Sequence, residues 1–358
     1  MPETKTLTAR CHCRAVHFTL TIPTTSLPLD VHICNCTLCR TLLGAPASFH
    51  APLPKEIEPE FIAPSSLDKL TPNRREGAPC TIYFCSTCGC HIGDRGHQGG
   101  WTISVSIFEE GVNDNESLWK FNEHWYTDAA STGDGGFSQL LPRIDGREVR
   151  IWNPDTTTDR SQKDEKKEDG GREEKLLAQC SCGGVSFNIS RPRQEFVDSP
   201  LSEGWVHAED PSKWLGLVDV CTDCRLVNGA HVVAWLFVSA DHISPPLPED
   251  LCIGTSKRYE SSPGVVRTFC GRCGATVFFT EKRRGRIVDI ATGILRGKEG
   301  FMLADWARWR TARLGYPDDG IKYDRGLTEG LTEGLQEWGR RTHGVVRDFA
   351  VGTETGAA

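Results

Sequence analysis

The sequence has no long apolar segment and no surplus of positive charge. Its longest strongly apolar run, residues 232–238, is seven residues long, whereas a membrane-spanning helix needs roughly 20. The first eight residues, MPETKTLT, contain no apolar core of the kind found in secretion signals. The formal charge of -7, from 41 basic and 48 acidic residues, argues against a broad nucleic-acid-binding surface. These features predict an intracellular protein, cytoplasmic or nuclear, that binds neither membranes nor nucleic acids.

Cysteine, in contrast, is abundant, with 16 residues in a chain of 358. Disulfide frameworks are typical of short exported chains, whereas clustered cysteines in a reducing compartment usually bind metal or carry out redox chemistry. All but Cys80, Cys90 and Cys252 belong to short clusters. The clusters are Cys11 and Cys13; Cys34, Cys36 and Cys39; Cys85 and Cys88; Cys180 and Cys182; Cys221 and Cys224; Cys270 and Cys273.

The clusters show that the chain contains an internal repeat. Cys85 follows Cys39 by 46 residues, and Cys270 follows Cys224 by the same 46. The neighbouring residues repeat as well, since each of Cys39 and Cys224 is followed by arginine and each of Cys85 and Cys270 is preceded by phenylalanine. Self-similarity of this kind predicts two copies of one fold.

Composition predicts where the two copies are joined. Residues 155–175 read DTTTDRSQKDEKKEDGGREEK, with no apolar side chain to bury. Such a segment cannot offset its ordering entropy and is expected to be a flexible linker. We therefore predict a first domain over 1–154, the linker over 155–175, a second domain over 176–345 and a frayed tail over 346–358.

The hydrophobic pattern within each copy is mainly that of β-strands. Apolar and polar residues alternate over 16–22 and again over 185–189, a two-residue period that places one strand face on a core. The 36 glycines and 20 prolines fit many short strands joined by turns. One segment is ambiguous: residues 326–335, GLTEGLTEGL, could form a helix, but each glycine costs about 1 kcal/mol relative to alanine.

Two pairs of cysteines, each separated by one or two residues, can together hold a zinc ion in tetrahedral geometry. Each copy contains such a combination, and the alternative is that these are ordinary buried thiols. The predicted ligand sets are Cys11, Cys13, Cys85 and Cys88 in the first domain, and Cys180, Cys182, Cys270 and Cys273 in the second.

The middle cluster of the first domain has three cysteines, Cys34, Cys36 and Cys39. Three ligands leave one zinc position open for water or a substrate atom. A zinc ion closed by a fourth residue and a metal-free redox cluster are the alternatives. In the second copy the first position is Asp219, followed by Cys221 and Cys224. A carboxylate is a harder ligand than a thiolate, so this site is expected to bind zinc more weakly.

The order C-x-C, C-x-C-x-x-C, F-C-x-x-C-G resembles the glutathione-dependent formaldehyde-activating enzyme family, which also includes centromere protein V. Residues 11–16, 34–40 and 84–89 carry the complete pattern, and the tandem arrangement is similar to that of fungal members. The resemblance implies coiled β-sheets, a structural zinc ion in each domain and a catalytic zinc ion on Cys34, Cys36 and Cys39. It also implies a carbon–sulfur lyase-type activity that combines formaldehyde and glutathione as S-hydroxymethylglutathione.

The resemblance implies that the partners are a small thiol, glutathione, and an aldehyde, and it specifies no oligomeric state. The incomplete motif at Asp219 leads us to expect that the first domain carries the reaction. Two alternatives stay open: a non-catalytic zinc-binding module with a chromatin or protein partner, and a thiol or redox sensor. Arg40 and Arg225 are expected to contact a glutathione carboxylate or to form surface salt bridges, and His124 to line a pocket or to support the fold.

Overall fold

The computed structural model describes residues 3–110, 112–113, 116–127, 136–153, 174–207 and 209–351. These residues form two similar sets of β-sheets, one from residues 3–153, the first domain, and one from residues 174–351, the second domain. The mainly β fold expected from the sequence is therefore confirmed. The predicted linker lies outside the described residues except for 174 and 175, and Lys175 already begins a strand. No helix in the described part of the chain is long and apolar enough to cross a membrane.

The first domain contains one short α-helix among its strands, α1 (Thr37–Leu43). Its strands are β1 (Thr4–Arg10), β2 (His17–Pro23), β3 (Leu29–Cys34), β4 (Ser48–Pro52), β5 (Glu60–Phe61), β6 (Leu70–Arg74), β7 (Cys80–Cys85), β8 (His91–Gly96), β9 (Trp101–Ser104), β10 (Val112–Asn113), β11 (Glu116–Ser117), β12 (Trp119–Trp125), β13 (Arg143–Ile144), β14 (Arg147–Glu148) and β15 (Arg150–Trp152).

The second domain adds helices α2 (Gln194–Val197), α3 (Thr222–Asn228), α4 (Pro317–Tyr323) and α5 (Arg325–His343). Its strands are β16 (Lys175–Gln179), β17 (Ser186–Ser190), β18 (Val206–His207), β19 (Asp210–Asp219), β20 (Val233–Ser239), β21 (Ile243–Ser244), β22 (Ser256–Ser262), β23 (Val265–Cys270), β24 (Thr276–Glu281), β25 (Ile287–Ala291) and β26 (Ala307–Trp309).

The two domains share one sheet topology. In the first, a small sheet β1-β2-β5 lies beside a large sheet ordered β15-β12-β3-β4-β9-β8-β7-β6. In the second, the small sheet is β16-β17-β21 and the large sheet is ordered β18-β19-β20-β25-β24-β23-β22, with β26 paired to β19. In each large sheet the strand that leads into the metal-site helix has a parallel neighbour, β12 beside β3 and β26 beside β19. The alternating segments at 16–22 and 185–189 lie largely in β2 and β17.

The two domains pack against each other through a continuous apolar core. One cluster of buried side chains contains residues of both domains, from Leu7 to Trp338. The rings of Phe49 and His231 lie 4.9 Å apart between centroids, and those of Phe137 and Phe301 lie 6.2 Å apart. Burial of apolar surface is the dominant favourable contribution to folding, so each domain stabilises the other.

The ambiguous repeat at 326–335 lies in helix α5, and its contacts explain the glycines. Asp324 caps the helix by accepting a hydrogen bond from the Leu327 amide at 2.9 Å. A Cβ at Gly330 would lie 2.3 Å from the Arg143 carbonyl oxygen, and one at Gly334 would lie 2.1 Å from that of Leu140. The face of the helix that carries these glycines therefore lies directly against the backbone of the first domain. The packing gained in this way outweighs the poor helix propensity of glycine.

The predicted tail begins with an anchored segment. The Arg347 amide donates to Thr311 Oγ1 at 2.8 Å, and the Arg347 carbonyl accepts from the amides of Thr311 and Ala312, each at 2.9 Å. Val351 is buried. Arg347 and Val351 are thus held against the second domain, the first by its backbone hydrogen bonds and the second by burial; residues 352–358 lie outside the described part.

Candidate metal centres

The first Cys₄ cluster joins the N-terminal turn of the first domain to the turn after β7. Cys11 and Cys13 come from the turn between β1 and β2, whereas Cys85 is the last residue of β7 and Cys88 lies in the turn between β7 and β8. The Sγ atom of Cys11 lies 3.4 Å from that of Cys13 and 3.7 Å from that of Cys85. The Sγ atoms of Cys13 and Cys85 lie 3.6 Å apart. Residues 74 positions apart are thereby brought together.

The second domain repeats this cluster with Cys180, Cys182, Cys270 and Cys273. The Sγ atoms of Cys180 and Cys182 lie 3.6 Å apart, and those of Cys182 and Cys270 lie 3.5 Å apart. In each Cys₄ cluster all four ligand atoms lie within 4.8 Å of one another. A tetrahedral zinc ion with Zn–S bonds near 2.3 Å separates its sulfur ligands by about 3.8 Å. The spacing and the thiol chemistry of both clusters fit a structural zinc ion.

The three-cysteine cluster lies at the junction of β3 and α1. Cys34 is the last residue of β3, and Cys36 is the N-cap of α1, where its Sγ accepts a hydrogen bond from the Cys39 amide at 3.4 Å. The Cys34 and Cys36 Sγ atoms lie 3.4 Å apart, and all three sulfurs lie within 4.8 Å. Hydrogen bonds from Cys34 and Cys39 lower the pKa of Cys36 to about 3. This three-thiol set, with Cys36 as its most acidic member, fits zinc with one ligand position left over.

An indole ring and an imidazole ring lie on the same face of the sheet as Cys34. His32 precedes Cys34 by two residues, and Trp125 and Ser48 pair with Cys34 in register, so their side chains share a face. His32 stacks on Trp125 with centroids 4.3 Å apart. Burial lowers the pKa of His32 to about 4 and that of His50 to about 3. Both histidines are therefore neutral near pH 7, and they add no charge beside the thiols.

His124 supports the cysteine loop rather than facing a pocket. It is fully buried, and its Nε2 lies 2.9 Å from the Leu141 carbonyl oxygen. Its Nδ1 lies 3.4 Å from Asn35 Nδ2, which also donates to the Ile33 carbonyl at 3.0 Å. Because Asn35 separates Cys34 from Cys36, this network holds the loop between two of the three thiols.

In the second domain the equivalent cluster has a different environment. Asp219 ends β19, and Cys221 is the N-cap of α3, accepting from the Cys224 amide at 3.4 Å. Asp219 Oδ1 accepts from the Cys221 amide at 2.8 Å, and Oδ2 accepts from Cys224 Sγ at 3.1 Å and from Trp235 Nε1 at 3.2 Å. Burial raises the pKa of the Asp219 carboxyl well above its usual range.

A buried arginine, Arg267, adds to this difference. Its Nη1 and Nη2 lie 3.5 and 3.6 Å from Cys224 Sγ, and its guanidinium lies over Phe279, 4.7 Å from the ring centroid. A zinc ion here would have to displace the hydrogen bonds that the Asp219 carboxyl accepts, and it would lie beside a fixed cation that repels it. The donors lie within 4.8 Å of one another, but they fit zinc less well than the other three sets.

The sequence analysis missed Arg267, although the repeat contained a signal for it. Aligning β23 with β7 places Arg267 opposite Ile82, so a cation replaces an apolar residue two positions into the strand. A cavity of about 360 Å³ adjoins this site and is lined by Asp219, Cys224, Trp235, Arg267 and Tyr316, among others.

Arg225 and the arginines of the basic run at residues 282–286, KRRGR, have partners within the protein. Arg225 is buried; its Nη1 donates to the carbonyls of Ser106 and of Phe108, the latter at 3.1 Å, across the domain boundary. It therefore does not form the surface salt bridge that was one of the two expectations for it, because the interface encloses it. In the basic run, Arg283 lies 3.7 Å from Glu281, Arg284 2.6 Å from Asp289 and Arg286 2.8 Å from Asp241.

A comparison with protein-family models decides the family. The model described as "Glutathione-dependent formaldehyde-activating enzyme" matches residues 6–129 and 207–306, more than half of the chain. The chain belongs to this family. One matched region of the family member lies within each β-sheet domain, and the two contain the three-cysteine cluster and its Asp219 counterpart. No curated protein matches the chain.

Proposed function

We propose that this family member is a zinc-dependent carbon–sulfur lyase-type enzyme that combines glutathione with formaldehyde, or a related thiol with an aldehyde, through its first domain. The observation that carries the proposal is the complete cluster of Cys34, Cys36 and Cys39, three thiols whose Sγ atoms lie within 4.8 Å of one another. The product would be S-hydroxymethylglutathione. In its formation the thiol sulfur bonds to the aldehyde carbon, and the thiol proton ends on the aldehyde oxygen.

The chain's own residues would prepare the site in three ways. Cys34, Cys36 and Cys39 would hold zinc, which when bound supplies a Lewis acid for a thiolate or an aldehyde oxygen. The stacked rings of His32 and Trp125 would exclude water from one side. The Asn35–His124 network keeps the cysteine loop in place. Holding both reactants together lowers the entropic barrier to their combination.

The proposal assigns the two domains different roles. The first domain would carry the reaction, and the second would bind zinc only at its Cys₄ cluster. Asp219 and Arg267 support this division, because an engaged carboxyl and a neighbouring guanidinium weaken the second domain's other set of ligands.

A matched pair of variants tests which domain is active. Cys36→Ala and Cys221→Ala remove equivalent N-cap cysteines, so both lose the same helix-cap hydrogen bond. We expect Cys36→Ala to lower kcat/KM by about 100-fold, at least as much as the loss of a supporting residue in a metal site. Cys221→Ala should retain the parent activity. The rate of S-hydroxymethylglutathione formation above the uncatalysed rate is the measurement.

Two results would contradict this proposal. If Cys221→Ala abolished turnover and Cys36→Ala did not, the second domain would be the active one. If the zinc-loaded parent protein did not accelerate the reaction at all, the non-catalytic module would be favoured. The ion-paired state of the basic run already weakens a nucleic-acid partner for such a module.

The zinc content of the protein gives a separate prediction. We expect three zinc ions per chain by elemental analysis, because the Asp219 set is the one whose ligands are otherwise engaged. Replacing both unusual residues by their first-domain counterparts, Asp219→Cys with Arg267→Ile, should raise the number to four. Four ions in the parent protein, or no gain in the double variant, would contradict the assignment.

A further inference from the structure

Each metal-site helix is embedded in the opposite domain. The C-cap of α1 is Gly44, and a Cβ there would lie 2.4 Å from the Thr276 carbonyl oxygen of the second domain. The C-cap of α3 is Gly229, and a Cβ there would lie 2.2 Å from the His91 carbonyl oxygen of the first domain. These are equivalent contacts, so the domains meet about an approximate twofold axis that passes near the two helices.

The C-terminal carbonyls of α1 are satisfied largely by the second domain. The Thr41 carbonyl accepts from the Ser181 amide at 3.0 Å, and the Leu43 carbonyl accepts from Asn228 Nδ2 at 3.0 Å. The Gly44 carbonyl accepts from the Gly293 amide at 3.3 Å. The last carbonyls of a helix have no partner within the helix, and here a neighbouring domain supplies the donors.

The loop that holds Thr41 belongs to the second domain's Cys₄ cluster. Ser181 lies between Cys180 and Cys182, whose sulfurs are 3.6 Å apart. The equivalent contact runs the other way, since the His12 amide, between Cys11 and Cys13, donates to the Leu226 carbonyl of α3 at 3.0 Å. In each domain, the loop that carries two ligands of the predicted structural zinc site thus also bonds to the other domain's metal-site helix.

We propose that the second domain positions the three-cysteine site of the first, with Asn228 and the Cys180–Cys182 loop as the positioning elements. The inference rests on the proposed function in one respect, that the first domain's cluster is the active one. Helix α1 has only seven residues, too few to be stable alone. The orientation of α1 is therefore set by the groups that bond to its ends. That orientation in turn determines where Cys36 and Cys39 lie relative to Cys34 on β3.

This role explains why a domain with an altered site is part of the same chain. The second domain would retain its Cys₄ cluster and its helix α3 because the first domain's site depends on them. It would not need three thiolates at Asp219, Cys221 and Cys224, because helix α3 contributes its Asn228 side chain rather than its metal ligands.

The test uses the zinc-loaded full chain and three variants. Asn228→Leu replaces the donor to the Leu43 carbonyl by an apolar side chain of similar size. His12→Ala removes the side-chain contacts that the first domain makes with the second at this loop, 2.6 Å to Tyr259 Oη and 3.4 Å to Asp223 of α3, while the residue 12 amide can still donate to the Leu226 carbonyl. Thr268→Val is the control, because its buried hydroxyl accepts from Phe278 within the second domain.

Amide hydrogen exchange and alkylation of Cys39 by iodoacetamide, both resolved by peptide mass spectrometry, are the measurements. Asn228→Leu should accelerate exchange over 37–43 and alkylation of Cys39 by about tenfold, as expected when a buried carbonyl loses its partner. It should lower kcat more than it changes KM. His12→Ala should accelerate exchange over 222–228 and leave 37–43 at the parent rate. Thr268→Val should change neither segment.

The inference is overturned if Asn228→Leu leaves 37–43 and Cys39 at parent rates, or if Thr268→Val loosens them equally. Exchange and alkylation require no substrate, so they test the positioning role even if the parent protein does not act on glutathione and formaldehyde. Should Asn228→Leu fail to fold, Asn228→Ala replaces it. That variant removes the same donor to the Leu43 carbonyl without adding bulk, and it should likewise expose Cys39 to alkylation; an unchanged rate overturns the inference.

Discussion

Replacing Cys85 by serine should destabilise the first domain by on the order of 5 kcal/mol, because loss of a metal ligand belongs to the most disruptive class of substitution. Zinc-finger peptides obtain about 10–16 kcal/mol from their structural zinc ion. Cys85 contacts both Cys11 and Cys13, and it is fully buried. Its removal therefore separates the turn after β7 from the N-terminal turn. Thermal unfolding and zinc content together measure the effect.

Cys80→Ser is the matched control for this prediction. Cys80 and Cys85 begin and end the same strand, β7, but Cys80 belongs to no metal-binding cluster of the described residues. The control should keep the parent zinc content and nearly the parent Tm. If Cys85→Ser kept its zinc and its stability, or if Cys80→Ser lost as much, the Cys₄ cluster would not hold a structural metal.

Gly229→Ala should destabilise the protein by on the order of 3 kcal/mol, the sum of a left-handed backbone penalty and a clash in a packed interior. Gly229 has φ of 79°, and its new Cβ would lie 2.2 Å from the His91 carbonyl oxygen and 2.9 Å from the His91 nitrogen. Both atoms are backbone atoms of β8, so they cannot move aside as a side chain can. Denaturant unfolding measures the change.

Gly344→Ala separates the backbone penalty from the clash. Gly344 is also a helix C-cap, at the end of α5, with φ of 72° and no atom within 4 Å of a new Cβ. It should therefore lose only about 1 kcal/mol, the usual cost of a left-handed residue with a side chain. Equal losses of stability in the two variants would mean that the contact between residue 229 and the His91 backbone adds no steric cost to the left-handed backbone penalty.

Much of the candidate site could be predicted because its signals are local. Cysteines one to three residues apart lie in single turns or in the first turn of a helix, as Cys36 and Cys39 do. The repeat then indicated which distant pairs belong together, and the structure brings Cys11 and Cys13 to Cys85 and Cys88. The replacement of a thiol by Asp219 was likewise visible in the aligned copies.

Residues that act across the domain boundary could not be predicted in this way. Arg225 was expected at a substrate or at the surface, yet it donates to carbonyls of residues 106 and 108 in the other domain. No sequence pattern marked Asn228, since a single asparagine in a helix has many possible hydrogen-bond partners. The glycines of α5 looked unfavourable for a helix because the residues they approach are distant in sequence: Arg143 precedes Gly330 by 187 positions and Leu140 precedes Gly334 by 194.

The sequence by itself determined that the protein has two copies of a β-rich fold and three sets of thiols suited to zinc, with a fourth set altered by a carboxylate. Periodicity, spacing and composition carry such information because they depend on neighbours along the chain. Only the tertiary structure decided that the copies interlock, each supporting the other's metal-site helix. That arrangement depends on backbone donors such as the Ser181 amide and on close approaches at Gly44 and Gly229. Every residue has a backbone amide, so no pattern of side chains marks which amide will find a carbonyl in another domain.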